Sequence, residues 1–106
     1  MRPHTRYYAV FATDKPGMRE VRERVRAVHR TYLRSAAQRG VFVRLGGATL
    51  APQCDALNGT LLVVEAEKYD DVMRFVRDDP YTLAGLFEHV EVRPWDWNLG
   101  NPEQRV

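Results

Sequence analysis

The side chains whose ordinary pKa values lie nearest neutrality are few in this sequence: His4, His29, His89 and Cys54. The three histidines show neither i,i+4 nor His-x-His spacing, and no cysteine pair stands beside them, so no resident metal is expected. Cys54 lies in a loop-like stretch near Pro52 and reads as an incidental thiol. Gly46-Gly47 is too short for a phosphate cradle, and no Lys-Ser/Thr pair opening a helix follows it, so neither a P-loop nor a dinucleotide fingerprint is present. The pair reads either as a bulge or strand end, or as pocket lining where something approaches the backbone closely. His29 is different: it follows Val28, stacks one turn beyond Val25 and one turn before Leu33, and so flanks an apolar helix stripe. An imidazole, with an ordinary pKa near about 6.5, is the side chain best suited to act as a general base at neutral pH. The bland alternative is a core-edge histidine satisfied by a backbone carbonyl. Asp79 has a bland role too, as the N-cap of a helical turn beginning at Pro80.

The arginines are unevenly placed. The chain carries a net charge of only +2, yet Arg19, Arg22, Arg24, Arg26, Arg30 and Arg34 crowd one segment against Glu20 and Glu23. Such a segment raises the question of nucleic acid. An RNA-recognition module would need a basic, glycine-rich, aromatic third strand for base stacking. Here that strand reads Gly-Thr-Leu-Leu-Val-Val-Glu, without an aromatic. No nucleic-acid partner is expected, and the basic segment reads as a solvated helix face.

The elements that must position these groups follow from periodicity. Residues 7–13 are aromatic and β-branched on both faces, with Tyr7, Ala9 and Phe11 on one side and Tyr8, Val10 and Ala12 on the other, a first strand closed by Asp14-Lys15-Pro16-Gly17. From Met18 to about residue 39, Met18, Val21, Val25, Val28, Tyr32 and Ala36 recur at helical steps, with Glu20/Arg24 and Glu23/Arg26 pairing on the wet side and Gly40 as C-cap. Residues 41–45 begin a second strand and 59–65 form a third, joined by a loop ending in the turn signal Asn58-Gly59. A second helix runs from Tyr69 to Asp78, and one or two turns restart over 80–87 because Pro80 disfavours helix at Asp79. Residues 89–93 alternate as an edge strand that stops at Pro94.

Strand, helix, strand, strand, helix, strand is the ferredoxin-like βαββαβ order, an α+β fold with a four-stranded antiparallel sheet and helices on one face. The 106 residues read as a single domain with a core over about 6–97 and a tail over 98–106. Two helices cover one sheet face, so the aromatics on the other predict a homodimer packed sheet against sheet. The longest apolar run, Leu61-Leu62-Val63-Val64, is far below the roughly 20 residues that span a bilayer, so no membrane partner is expected. One cysteine and no signal-peptide pattern point to the cytoplasm.

Together, 7–17 (Tyr-Tyr-Ala-Val-Phe-Ala-Thr-Asp-Lys-Pro-Gly), His29-Arg30-Thr31-Tyr32-Leu33, Arg44-Leu45-Gly46-Gly47, Asp79-Pro80-Tyr81, Gly85-Leu86-Phe87 and Glu91-Val92-Arg93-Pro94-Trp95 resemble the YciI-like (YCII-related) family over about 6–97. The resemblance implies a dimeric α+β barrel with a pocket in each subunit, lined by a histidine of the first helix and an aspartate before proline, here His29 and Asp79. It also implies enzymatic activity, with a few members acting in degradation of aromatic or halogenated compounds; a His/Asp pair of this kind calls for no metal or organic cofactor. One departure is Ala48-Thr49-Leu50 after the glycine pair, where the family often has proline; the loop over 51–58 is this chain's own.

A histidine oriented by a carboxylate supports elimination, including dehalogenation, or isomerisation by proton abstraction next to a carbonyl. The expected substrate is an aromatic-derived or quinoid acid, with His29 and Asp79 catalytic and Tyr7, Tyr8, Arg44, Gly46, Gly47 and Trp95 as substrate-binding candidates. The rival from another class is a non-catalytic dimeric module that holds a small molecule or a protein partner.

Overall fold

The computed structural model of the chain describes residues 5–103, which leaves His4 and the last three residues of the tail outside the described part. The elements run β1 (Arg6–Asp14), α1 (Arg19–Arg34), a 3-10 turn (Ala36–Arg39), β2 (Val41–Leu50), β3 (Leu57–Ala66), α2 (Tyr69–Arg77), α3 (Pro80–Leu83) and β4 (Phe87–Trp95). The four strands form one antiparallel sheet in the order β2-β3-β1-β4, with the helices on one face.

Alternation in the central strands sets the two faces. In β1, Tyr8, Val10 and Ala12 are buried under the helices and face Val64, Leu62 and Thr60 of β3, while Tyr7 and Phe11 point to the opposite side. Tyr8, Val10, Leu62 and Val64 meet Tyr32 of α1 and Val72, Phe75 and Val76 of α2 in one core cluster. The Tyr32 ring stacks on Phe75 at 4.8 Å, and its hydroxyl donates to the Phe75 carbonyl at 2.7 Å. Burial pushes the Tyr32 phenol up to about 12, with the charge of Arg39 pulling the other way.

Several local readings are corrected. The first α-helix ends at Arg34: the Ser35 hydroxyl donates to the Tyr32 carbonyl at 3.1 Å, the chain tightens into the 3-10 turn, and Gly40 closes it at φ 76°. Val28, expected in the apolar stripe, is 59 % exposed, whereas Arg22, His29 and Tyr32 are the buried positions. Glu23 pairs back to Arg19 at 3.3 Å rather than forward to Arg26. Gly46-Gly47 does not end β2, which runs on to Leu50; the irregularity lies one step earlier, where Val43 faces Val64 and Leu45 faces Val63, so Arg44 is the extra residue of a bulge.

Asn58-Gly59 is not the hairpin turn either. The reversal is made by 51–56, closed by the Ala51 N–H donating to the Ala56 carbonyl at 2.8 Å with Asp55 at φ 57°. Gly59 sits inside β3 because a Cβ there would lie 2.3 Å from the Ala12 carbonyl oxygen. Similarly, β4 runs through Pro94 to Trp95, which is tolerated because β4 is an edge strand.

On the helix-free face, Phe11, Leu45, Leu61 and Trp95 are exposed. The segment after β4 folds over one end of that face, where Trp97 is buried, meets Tyr7 edge-on at 5.3 Å and stacks on Trp95 at 5.7 Å. The Asn101 side-chain amide donates to the Trp97 carbonyl at 3.1 Å and holds the segment in place. Among the described residues no helix is long and apolar enough to cross a membrane.

Candidate functional site

The side of α1 expected to be solvated carries the site. Arg22, Arg26 and Arg30 recur every four residues with His29 beside them, and this row faces the β2–β3 end of the sheet across a cavity of about 480 Å³. Its apolar walls include Leu33, Val43, Leu57 and Leu62, with Gly46, Gly47 and Ala48 on the β2 side. Tyr81 of α3 closes one flank.

Asp79 does two jobs with one oxygen. As N-cap of α3, its Oδ1 accepts the Tyr81 backbone N–H at 2.9 Å, and the same atom accepts from His29 Nδ1 at 2.8 Å. Pro80 at the first helical position fixes the turn that aims this carboxylate. Both side chains are buried, at 7 % and 5 % exposure. An ionised carboxylate can only accept, so Nδ1 carries the proton and the neutral ring's lone pair resides on Nε2. Nε2 has no partner among the described residues, and no unpaired side-chain nitrogen or oxygen is fully buried, so this atom is open to the cavity. The imidazole lies flat on the Tyr81 ring at 3.9 Å and 17°, which fixes the second degree of freedom that the Asp79 bond leaves.

Arg22 is the residue the sequence reading missed. It is 4 % exposed, donates to both Asp14 oxygens at 2.7 and 2.9 Å and to Thr60 Oγ1 at 2.9 Å, and lies 4.8 Å from the Tyr81 ring centroid. Burial opposes its charge, but hydrogen bonding and attraction from Asp14 outweigh this and hold its pKa above the ordinary arginine value. The available signal was spacing: Arg22 precedes His29 by seven residues, two turns along the same helix face.

Of the binding candidates, only Gly46 and Gly47 line the cavity. A Cβ at Gly46 would sit 2.9 Å from Leu62 Cδ2, so a larger residue there would push the Leu62 side chain aside. Tyr8 is sealed in the core at 1 % exposure, contrary to expectation, because the β1 alternation turns it under the helices. Tyr7 and Trp95 lie on the other side of the sheet against Trp97. Arg44 is on that side too, with Glu65 at 3.5 Å and Glu103 as partners, because Val43 before it faces the cavity and strand alternation turns the next residue to the opposite face. No three His, Cys, Asp or Glu side chains among the described residues converge in a way that could hold a metal ion.

A sequence profile of the YCII-related domain matches residues 6–96. The chain belongs to that family. Protein YciI of Escherichia coli O6:H1 is 28 % identical over 92 residues, which cover 83 % of this chain and 94 % of that protein. Among solved structures, the fold is similar to 5-chloro-2-hydroxyhydroquinone dehydrochlorinase (TftG) of Burkholderia phenoliruptrix, in complex with 2,5-dihydroxybenzoquinone: TM-score 0.75, 33 % identity, 85 % of this chain and 93 % of that one. SnoaB, a cofactor-independent oxygenase of Streptomyces nogalater, shares the fold at TM-score 0.52 and 15 % identity, over 94 % and 99 % of the two chains.

Proposed function

We propose that the chain is a cofactor-independent lyase or isomerase that works by proton transfer at His29. The observation that carries this reading is the buried His29–Asp79 pair, with Nδ1 held by the carboxylate and Nε2 left open in a cavity of about 480 Å³. Nε2 takes a proton from a carbon or hydroxyl conjugated to a carbonyl, and Asp79 offsets the charge that the ring gains. In an elimination, the electron pair released expels chloride from the ring, so one proton and one chloride leave together. In an isomerisation, the proton returns to a different carbon and nothing is lost. By analogy with TftG, the substrate is a hydroxylated, halogen-bearing ring or a quinoid acid.

The working unit of this proposal is a homodimer in which the exposed outer-face residues Phe11, Leu45 and Leu61 are covered by a second copy. Turnover separates the enzyme from a pure binding module. The test is to incubate the protein anaerobically with chlorinated hydroxyhydroquinones and with muconolactone-like acids, following chloride release and the ultraviolet spectrum. Catalytic turnover of one class supports the proposal. Saturable tight binding with no turnover of any would replace it with the binding module.

A further inference from the structure

We infer that Arg26 and Arg30 form an anion-recognition subsite at the cavity, so that the ligand is a ring-sized molecule bearing an ionised carboxylate or vinylogous acid. This rests on the cavity being a substrate site and names the class of molecule it selects. Arg22, Arg26, Arg30 and His29 all line the space, and no aspartate or glutamate does. The two acidic groups nearby are already committed: Asp14 pairs with Arg22, and Asp79 holds His29. Arg26 and Arg30 have no ion-pair or hydrogen-bond partner among the described residues, and Glu23, the acid best spaced to reach Arg26, pairs instead with Arg19.

Like charges at i,i+4 repel along a helix, so the row Arg22, Arg26, Arg30 weakens α1 rather than supporting it. Arg26 is half-buried and Arg30 exposed, yet both line a concave, partly apolar space. Within such a space, charges of one sign focus the field on an entering ligand. The guanidinium fork matches the two oxygens of a carboxylate. An anionic group held by Arg26 and Arg30 would share one space with the apolar Leu33 and Leu62 side chains and with His29, all of which line the cavity.

The test is calorimetric titration with 2,5-dihydroxybenzoate and with its uncharged amide. The acid should bind at least about tenfold more tightly than the amide, the scale of one charge-assisted contact, and the preference should shrink as salt is raised. In Arg26→Gln/Arg30→Gln the preference should vanish while amide binding remains. The comparison of acid with amide in the unaltered protein stands even if the double variant folds poorly. In His29→Ala the preference should persist, so loss of the proton-transfer reading and loss of this one are told apart. Equal affinity for acid and amide, a preference unchanged in the double variant, or no binding of the acid at millimolar concentration would each overturn the subsite.

Discussion

Asp79 is the residue at which capping and chemistry separate, because both of its hydrogen bonds end on the same oxygen. In Asp79→Asn the amide oxygen can accept from both His29 Nδ1 and the Tyr81 N–H, and Asn and Asp are nearly equal N-caps, so stability should change by less than about 0.5 kcal/mol. What disappears is the negative charge facing the imidazolium. A charge-assisted bond contributes about 1.5–3 kcal/mol against about 1 for a neutral one, a difference of roughly 0.5–2 kcal/mol, or about two- to thirtyfold in rate. Asp79→Ala differs in kind: it loses the cap, at about 1 kcal/mol, and leaves two buried donors unpaired at about 1–3 kcal/mol each, so it should unfold at clearly lower urea. The assay pairs urea melts with kcat on the substrate that turns over. Asp79→Asn with unchanged melting and reduced kcat fits the reasoning. Unchanged melting with unchanged kcat would refute it, reducing Asp79 to a cap.

Other outcomes follow from the same structure. Arg22→Met strands the buried Asp14 carboxylate and should cost about 3–5 kcal/mol in urea unfolding, with at least half recovered by Arg22→Met/Asp14→Leu. The Tyr32 phenol stands above its ordinary value of about 10, so the stability it contributes is intact below pH 10 and is lost as pH rises through about 12. This alkaline loss, on the order of 2 kcal/mol, should be absent in Tyr32→Phe when both proteins are melted across that window. Light scattering should give twice the 12.3 kDa chain mass at micromolar concentration, and a stable monomer would remove the dimer.

The order of elements was legible because it rests on local pattern: alternation in β1, helical periodicity in α1, and Asp79-Pro80 at a helix start. The pairing of His29 with Asp79 was implied by family resemblance, since 50 residues separate them and no local rule joins them. Arg22 was not legible because its burial depends on Asp14 of β1 and Thr60 of β3, which only the assembled sheet brings to α1. The Asn58-Gly59 signal misled for a similar reason, as the close approach of the Ala12 carbonyl selects Gly59 rather than a turn conformation. Tyr8 was misplaced as a ligand contact because both faces of β1 are apolar, and sequence alone does not say which one the helices cover.

The central claim is that Nε2 of His29 moves the proton, and chemical rescue tests it most directly. The measurement is kcat for the unaltered protein and for His29→Ala, with and without added imidazole, on the chlorinated hydroxyhydroquinone or lactone acid that turns over. The account predicts a loss of about 100-fold or more, with folding and mass unchanged and with part of the rate restored by imidazole in the vacated space beside Tyr81. Turnover undiminished in His29→Ala would contradict it.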